Sequence, residues 1–164
     1  MNPVFPDAVP APEEFRRACA RYATGVTVTT VQGLTGEPEG LTVNSFTSVS
    51  LEPPLVLVCI DKSADSHPHF RAAKGFAINV LGEEQIGVSQ HFATFQGDRF
   101  EGLTWRPGLH GAPLLAGVLA TLECAMHEQV DAGDHTIFVG QVERVAFHDG
   151  TPLVYFAGAY RKLG

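Results

Sequence analysis

Gly40-Leu-Thr-Val-Asn-Ser-Phe-Thr-Ser-Val-Ser-Leu-Glu-Pro-Pro54 is the stretch on which the fold turns. Leu41 and Val43 stand two apart, as a half-buried strand requires. The phase then breaks, because the next large apolar residues are Phe46, Val49 and Leu51. A break of this kind implies a bulge or turn, which re-aims side chains at one point. The residues it exposes are Thr42, Asn44, Ser45, Thr47, Ser48 and Ser50, all small, neutral and able to hydrogen-bond. Pro53-Pro54 closes the segment, and the apolar run 55–60 opens a new strand. An ordinary polar crossover between two barrel strands has the same pattern. The number of donors between two buried strands, each in need of a partner, speaks for a groove instead.

Upstream, residues 26–31 alternate and residues 33–38 turn, so the central stretch returns as the second arm of a hairpin. Before that, Pro12 opens a helix with Glu13 and Glu14 in its first turn and Gly25 after its end. Phe15, Cys19 and Tyr22 give it a narrow apolar face, expected to lid one end of a barrel. Residues 1–11 carry three prolines and form an arm; residues 12–164 form one domain.

Downstream, Ser66 is placed to cap a helix with Pro68 in its first turn. Residues 76–81 form a strand, 83–93 a short helix and 94–102 an aperiodic loop, and Trp105 lies in a short strand. Residues 119–130 and 135–147 are two long strands around a tight turn, and 153–157 is the last clear strand. Six to eight strands with few helices predict a mainly β protein, a closed antiparallel barrel. Helices do not alternate with strands and no Gly-x-Gly-x-x-Gly follows one, which disfavours a doubly wound sheet.

Composition narrows the function. The chain has 164 residues, 45% hydrophobic and 18% charged, enough for one core and sparing of surface charge. A net charge of −7 with no basic patch speaks against nucleic acid. No apolar run approaches the roughly 18 residues of a membrane span, and no secretory signal is visible. Cys19, Cys59 and Cys124 fall in apolar settings and read as buried, reduced thiols of a cytoplasmic protein. The apolar run Leu114-Leu-Ala-Gly-Val-Leu119 suggests surface left for a second subunit.

Hydrolysis by a protein nucleophile is disfavoured, because Gly-x-Ser-x-Gly is absent and no cysteine has an electropositive setting. The seven histidines show no His-x-x-x-His; His67 and His69 should point apart, and most should lie at the surface. Ser63, Ser66 and the helix start after them, with Lys62 close by, could hold a phosphate. With Thr42–Ser50 they would line one groove for a planar polar heterocycle with a phosphate tail. His135 stands at a strand end near the barrel rim, either facing that groove or simply bonded to Asp134.

The central segment, Phe76-Ala-Ile-Asn-Val-Leu, Gln90-His-Phe-Ala, Gly133-Asp-His-Thr-Ile-Phe-Val-Gly-Gln-Val and Leu153-Val-Tyr-Phe with Tyr160 occur in the order found in the short-chain flavin reductases. The chain resembles that family, the reductase components of two-component flavin monooxygenases, from about Phe15 to Leu163. The resemblance implies an FMN-binding split barrel, a homodimer, and reduction of FMN or FAD by NADH or NADPH. The reduced flavin would then pass to a flavin-dependent monooxygenase. It assigns Thr42, Asn44 and Ser45 to the flavin ring, Cys59, Asp61, Lys62, Ser63 and Ser66 to the ribityl chain and phosphate, and Ser48 to cofactor binding. Phe92 and Ala93 would close over the flavin, Tyr160 would contact cofactor, and His135 would serve the nicotinamide side. A non-enzymatic flavin- or haem-binding split barrel and a tight-FMN oxidase of the pyridoxamine-phosphate oxidase type are the rival readings.

Overall fold

The computed structural model describes residues 8–164. The first seven residues of the expected arm lie outside it, and residues 8–11 are exposed. In chain order the elements are α1 (Pro12–Cys19), β1 (Thr24–Gly25), β2 (Thr27–Gln32), β3 (Pro38–Val43), β4 (Thr47–Leu51), β5 (Pro54–Asp61), α2 (His67–Ala72), β6 (Gly75–Val80), α3 (Ile86–Thr94), β7 (Trp105–Pro107), β8 (Pro113–Leu115), β9 (Ala120–Ala132), β10 (His135–Phe147), β11 (Val154–Phe156) and β12 (Ala159–Arg161). Short 3-10 turns precede α3 and β8.

Seven strands form one antiparallel sheet in the order β3-β2-β6-β9-β10-β5-β4. The fold is mainly β with short helices, as the strand spacing indicates. Ladder closure is the point of difference: β3 and β4, the outer strands, do not pair with each other, and residues 44–46 carry the chain from one edge to the other. The phase break in the central stretch is thus a change of edge, and a register shift between Ser48 and Ser50 adds a bulge to β4. Ser45 fills part of the seam, accepting the Cys59 N–H at 2.9 Å and donating to the Cys59 carbonyl at 3.0 Å.

The long hairpin β9–β10 turns at Gly133-Asp134, with Gly133 at φ 61°, a backbone that suits glycine. Gly140 on β10 sits at a register shift against Phe76 and Cys124, both buried. One core cluster packs Val31, Val58, Ile60, Phe70, Phe76 and Phe138 inside the sheet. A second gathers Val28, Leu81, Phe92, Phe100 and Leu153 beneath α3. Asn79, fully buried, donates to the Val28 carbonyl at 3.0 Å and accepts the Leu115 N–H at 2.9 Å, so the small β7–β8 sheet is held to the main one.

Four expectations are corrected by the packing. Helix α1 ends at Cys19 rather than near Gly25 and buries none of its residues, so it lids nothing within this chain. Cys19 is exposed with it and Cys59 is half-buried; of the three thiols Cys124 alone is buried, and burial pushes it up to about 12. Leu114, Leu115 and Val118 of the apolar run are inside the chain and leave no patch for a partner. Exposed apolar residues elsewhere include Phe15 on α1, Leu51 on β4, and Val145 and Phe147 on β10. The C-terminal strand is two strands, β11 and β12, turning at Ala157-Gly158, both at positive φ.

Candidate functional site

Two adjoining clefts lie over the seam. The first, about 220 Å³, is lined by Val26, Thr42, Asn44, Ser89, Ala93, Tyr155 and Tyr160. The second, about 310 Å³, includes Thr42, Ser63, Ser66, Phe92, Ala93 and Arg99 in its walls. Thr42 and Ala93 belong to both, so they form one groove running from the C-terminal hairpin to the start of α2.

Its floor is built where β3 meets α3. Thr42 Oγ1 donates to the Ser89 carbonyl at 2.6 Å, and Ser89 Oγ lies 2.8 Å from the Tyr160 hydroxyl. Three separate parts of the chain therefore meet at the first cleft. Tyr160 packs edge to face against Tyr155, with ring centroids 5.5 Å apart. Asn44 is exposed in the cleft and its amide has no hydrogen-bond partner among the described residues. This end of the groove carries no formal charge.

The second end has a cation, and it is Arg99. Its Nε donates to the Phe95 carbonyl at 3.1 Å, and its Nη1 donates to the Gly40 carbonyl and Ser66 Oγ at 3.3 and 3.2 Å. Nη2 makes no hydrogen bond among the described residues, and Asp65 lines the same cleft. Lys62, the cation expected there, turns away: its Nζ donates to the Gly133 carbonyl at 2.9 Å and lies 4.0 Å from Asp131. Ser66 does occupy the N-cap position of α2, but its hydroxyl makes no cap bond and faces Gly40 and Arg99. Ser63 spends its hydroxyl and N–H on Asp61, both at 2.7 Å, and these two bonds hold the Asp61 carboxyl below its usual range.

Of the residues assigned from sequence, Thr42, Asn44, Ala93, Tyr160, Ser63, Ser66 and Phe92 line the groove. Ser45, Ser48, Cys59, Asp61, Lys62 and His135 do not. Ser45 and Cys59 are bonded to each other beneath the seam, and Ser48 is exposed on β4. Burial raises the Cys59 thiol, partly offset by Ser45. His135 is directly opposite Asp61 in the β10–β5 ladder, half-exposed, with Nδ1 2.7 Å from Asp134 Oδ1. Of the seven histidines His67 alone is buried, with Nε2 2.9 Å from Thr136 Oγ1; burial, then Arg71, lowers its pKa. Its ring does point away from His69, whose Nδ1 accepts the Leu34 N–H.

Sequence reasoning missed Ser89, Tyr155 and Arg99. Ser89 lies inside the helical stretch 83–93, and its neighbours Gln90-His-Phe-Ala were the nearest signal. Arg99 lies in a loop without periodicity, where nothing marks one charge above another.

Residues 19–164 match the flavin reductase like domain. An FMN reductase (NADH), SmoA, of Agrobacterium fabrum is 48% identical over 149 residues, covering 91% of this chain and 84% of the relative. The reductase component of a flavin-dependent trigonelline monooxygenase of Acinetobacter baylyi is 45% identical, covering 94% of this chain. The chain spans about half the length of some curated relatives it matches, 50% of that one and 48% of a relative from Rhizobium meliloti. Among solved structures, the NADH:FAD oxidoreductase SgcE6 of Streptomyces globisporus, in complex with NAD and FAD fragments, superposes with a TM-score of 0.88 at 41% identity, over 96% of this chain and 97% of that one. The match over residues 19–164, together with these relatives, makes the chain a member of the flavin reductase like domain family.

Proposed function

We propose that the chain is an NAD(P)H-dependent flavin reductase that takes FMN or FAD as a substrate and hands the reduced flavin to a flavin-dependent monooxygenase. The continuous groove carries this reading. Its neutral amide at Asn44 and hydroxyl at Tyr160 suit the carbonyls and nitrogens of a flavin ring, and the Nη2 of Arg99 suits its phosphate. Hydride transfer between nicotinamide and flavin needs no protein nucleophile, only two stacked rings and donors where charge grows. The names of the relatives, an FMN reductase (NADH) and a monooxygenase reductase component, support NADH as electron donor and an oxygenase as recipient.

Within the same proposal, His135 serves the nicotinamide beside the Asp61–Ser63 end of the groove, and Asp61, Lys62, Cys59, Ser45 and Ser48 support the groove from its seam. The functional unit is a homodimer, supported by the exposed Phe15, Val145 and Phe147. The cytoplasm is its place of action, in keeping with the free thiols; among the described residues no helix is long and apolar enough to cross a membrane.

The test is consumption of NADH in the presence of excess free FMN or FAD, followed at the nicotinamide absorbance band. Turnover with added flavin, and little without it, is the expected result. No loss of NADH or NADPH with either flavin refutes the proposal. A flavin that survives dialysis and needs no addition refutes its substrate part.

A further inference from the structure

We infer that Tyr160 is a directed hydrogen-bond donor that favours the reduced flavin, and that Ser89 is the positioning residue that directs it. The inference rests on the flavin reductase reading and deepens it. Ser89 is 0% exposed on α3, and its hydroxyl lies 2.8 Å from the Tyr160 hydroxyl, where either oxygen could donate. The two polarities are unequal. If Tyr160 donates, the Ser89 proton has no acceptor among the described residues while fully buried, which is unfavourable. If Ser89 donates, every buried group is satisfied and the Tyr160 proton is free to point into the cleft that both residues line. The second arrangement wins. Thr42 Oγ1, bonded to the Ser89 carbonyl at 2.6 Å, keeps this turn of α3 seated on β3, and the Tyr155 ring holds that of Tyr160 from the side.

A donor fixed before the ligand arrives favours whichever form of the ligand is more negative. In the reaction, a hydride leaves nicotinamide carbon with both electrons of its C–H bond and arrives at flavin N5. The nicotinamide becomes cationic, and the flavin ring gains one negative charge along its N1–C2=O edge. No further proton is required. A neutral phenol can donate to that charge without binding a second proton of its own, and Tyr160 meets the requirement.

The test measures affinity rather than turnover. Dissociation constants for oxidised and chemically reduced FMN are determined anaerobically for the unsubstituted chain, Tyr160→Phe, Ser89→Ala and the double variant. Tyr160→Phe keeps the ring and its packing, and should lower the ratio of reduced to oxidised affinity about tenfold. Ser89→Ala should lower it about threefold, and should do nothing further when Tyr160 is already Phe. An unchanged ratio in Tyr160→Phe, with both flavin forms bound, overturns this inference alone. A Ser89→Ala effect that weakens both forms equally, or persists beside Phe at 160, overturns the positioning role. Failure of the unsubstituted chain to bind flavin in either form overturns the reductase reading beneath it.

Discussion

Ser45 Oγ and the backbone of Cys59 meet twice, at 2.9 Å through the N–H and at 3.0 Å through the carbonyl. The last rung of the β4–β5 ladder pairs Thr47 with Leu57, so the Ser45 hydroxyl supplies the next rung with a side chain in place of a strand. Ser45→Ala should cost about 1–3 kcal/mol, because two half-buried backbone groups lose their partner. Chemical unfolding should report a lower midpoint with an unchanged denaturant slope. An unchanged midpoint would mean that water replaces the hydroxyl at no cost.

His67 gives the chain an acid-sensitive stability. Its folded pKa lies below the ordinary 6.5, with burial first and Arg71 second among the causes, against which Asp131 and Asp61 pull upward. The neutral ring is therefore favoured by folding. Its contribution is complete above about pH 6.5 and is lost as pH falls from there through the folded pKa, where the unfolded chain takes up the proton first. Thermal unfolding between pH 5 and 8 should show melting temperature falling on the acid side, and His67→Gln should flatten that fall. An equal fall in the variant would assign it to other groups.

Arg99→Gln removes the one guanidinium in the groove. The KM for FMN should rise about tenfold, equivalent to ~1.4 kcal/mol, while that for riboflavin, which has no phosphate, should change little. Steady-state assays with the two flavins make the comparison. Equal losses with both would place Arg99 in support of the loop 94–102 rather than on the ligand.

His135→Ala should slow turnover with NADH by roughly ten- to a hundredfold, ~1–3 kcal/mol in the barrier. Flavin affinity should hold, since His135 lines neither cleft. Stopped-flow reduction of pre-bound flavin beside a flavin titration checks both parts. An unchanged rate would leave His135 as the partner of Asp134 and nothing more.

Gly140→Ala tests the packing of the long hairpin. A Cβ there would come within 2.5 Å of Phe76 Cζ and 2.7 Å of Cys124 Cβ, inside a core that cannot give way. A loss of about 1–3 kcal/mol is expected, read by denaturant unfolding. A variant as stable as the parent would show that β10 can shift at its bulge.

How much of this was legible in the sequence follows from how local each signal is. The strands β9 and β10 were readable almost to the residue, because a long alternation interrupted by Gly133-Asp134 has few other solutions. The break after Val43 was readable as a break, but its meaning depends on which strands pair at long range. The same holds for Leu114 to Val118: an apolar run is equally at home inside or at an interface, and only Asn79 reaching Leu115 decides it. Helix α1 has an amphipathic pattern, yet pattern alone does not name the surface it faces. For the site, the neutral donors announced themselves by their density. Arg99 and Ser89 did not, since each acquires its role from a partner far away in the chain, Ser66 at one end and Tyr160 at the other.

The side-chain seam has an evolutionary consequence. Where β3 and β4 fail to pair, groove shape depends on Thr42, Asn44 and Arg99 and on few ladder bonds, so residues there can change at little expense to the sheet. Ligand preference can then drift while the barrel stays fixed, and a pair of split-barrel proteins that diverge in the flavin they accept should differ first between residues 42 and 50 and in the loop 94–102.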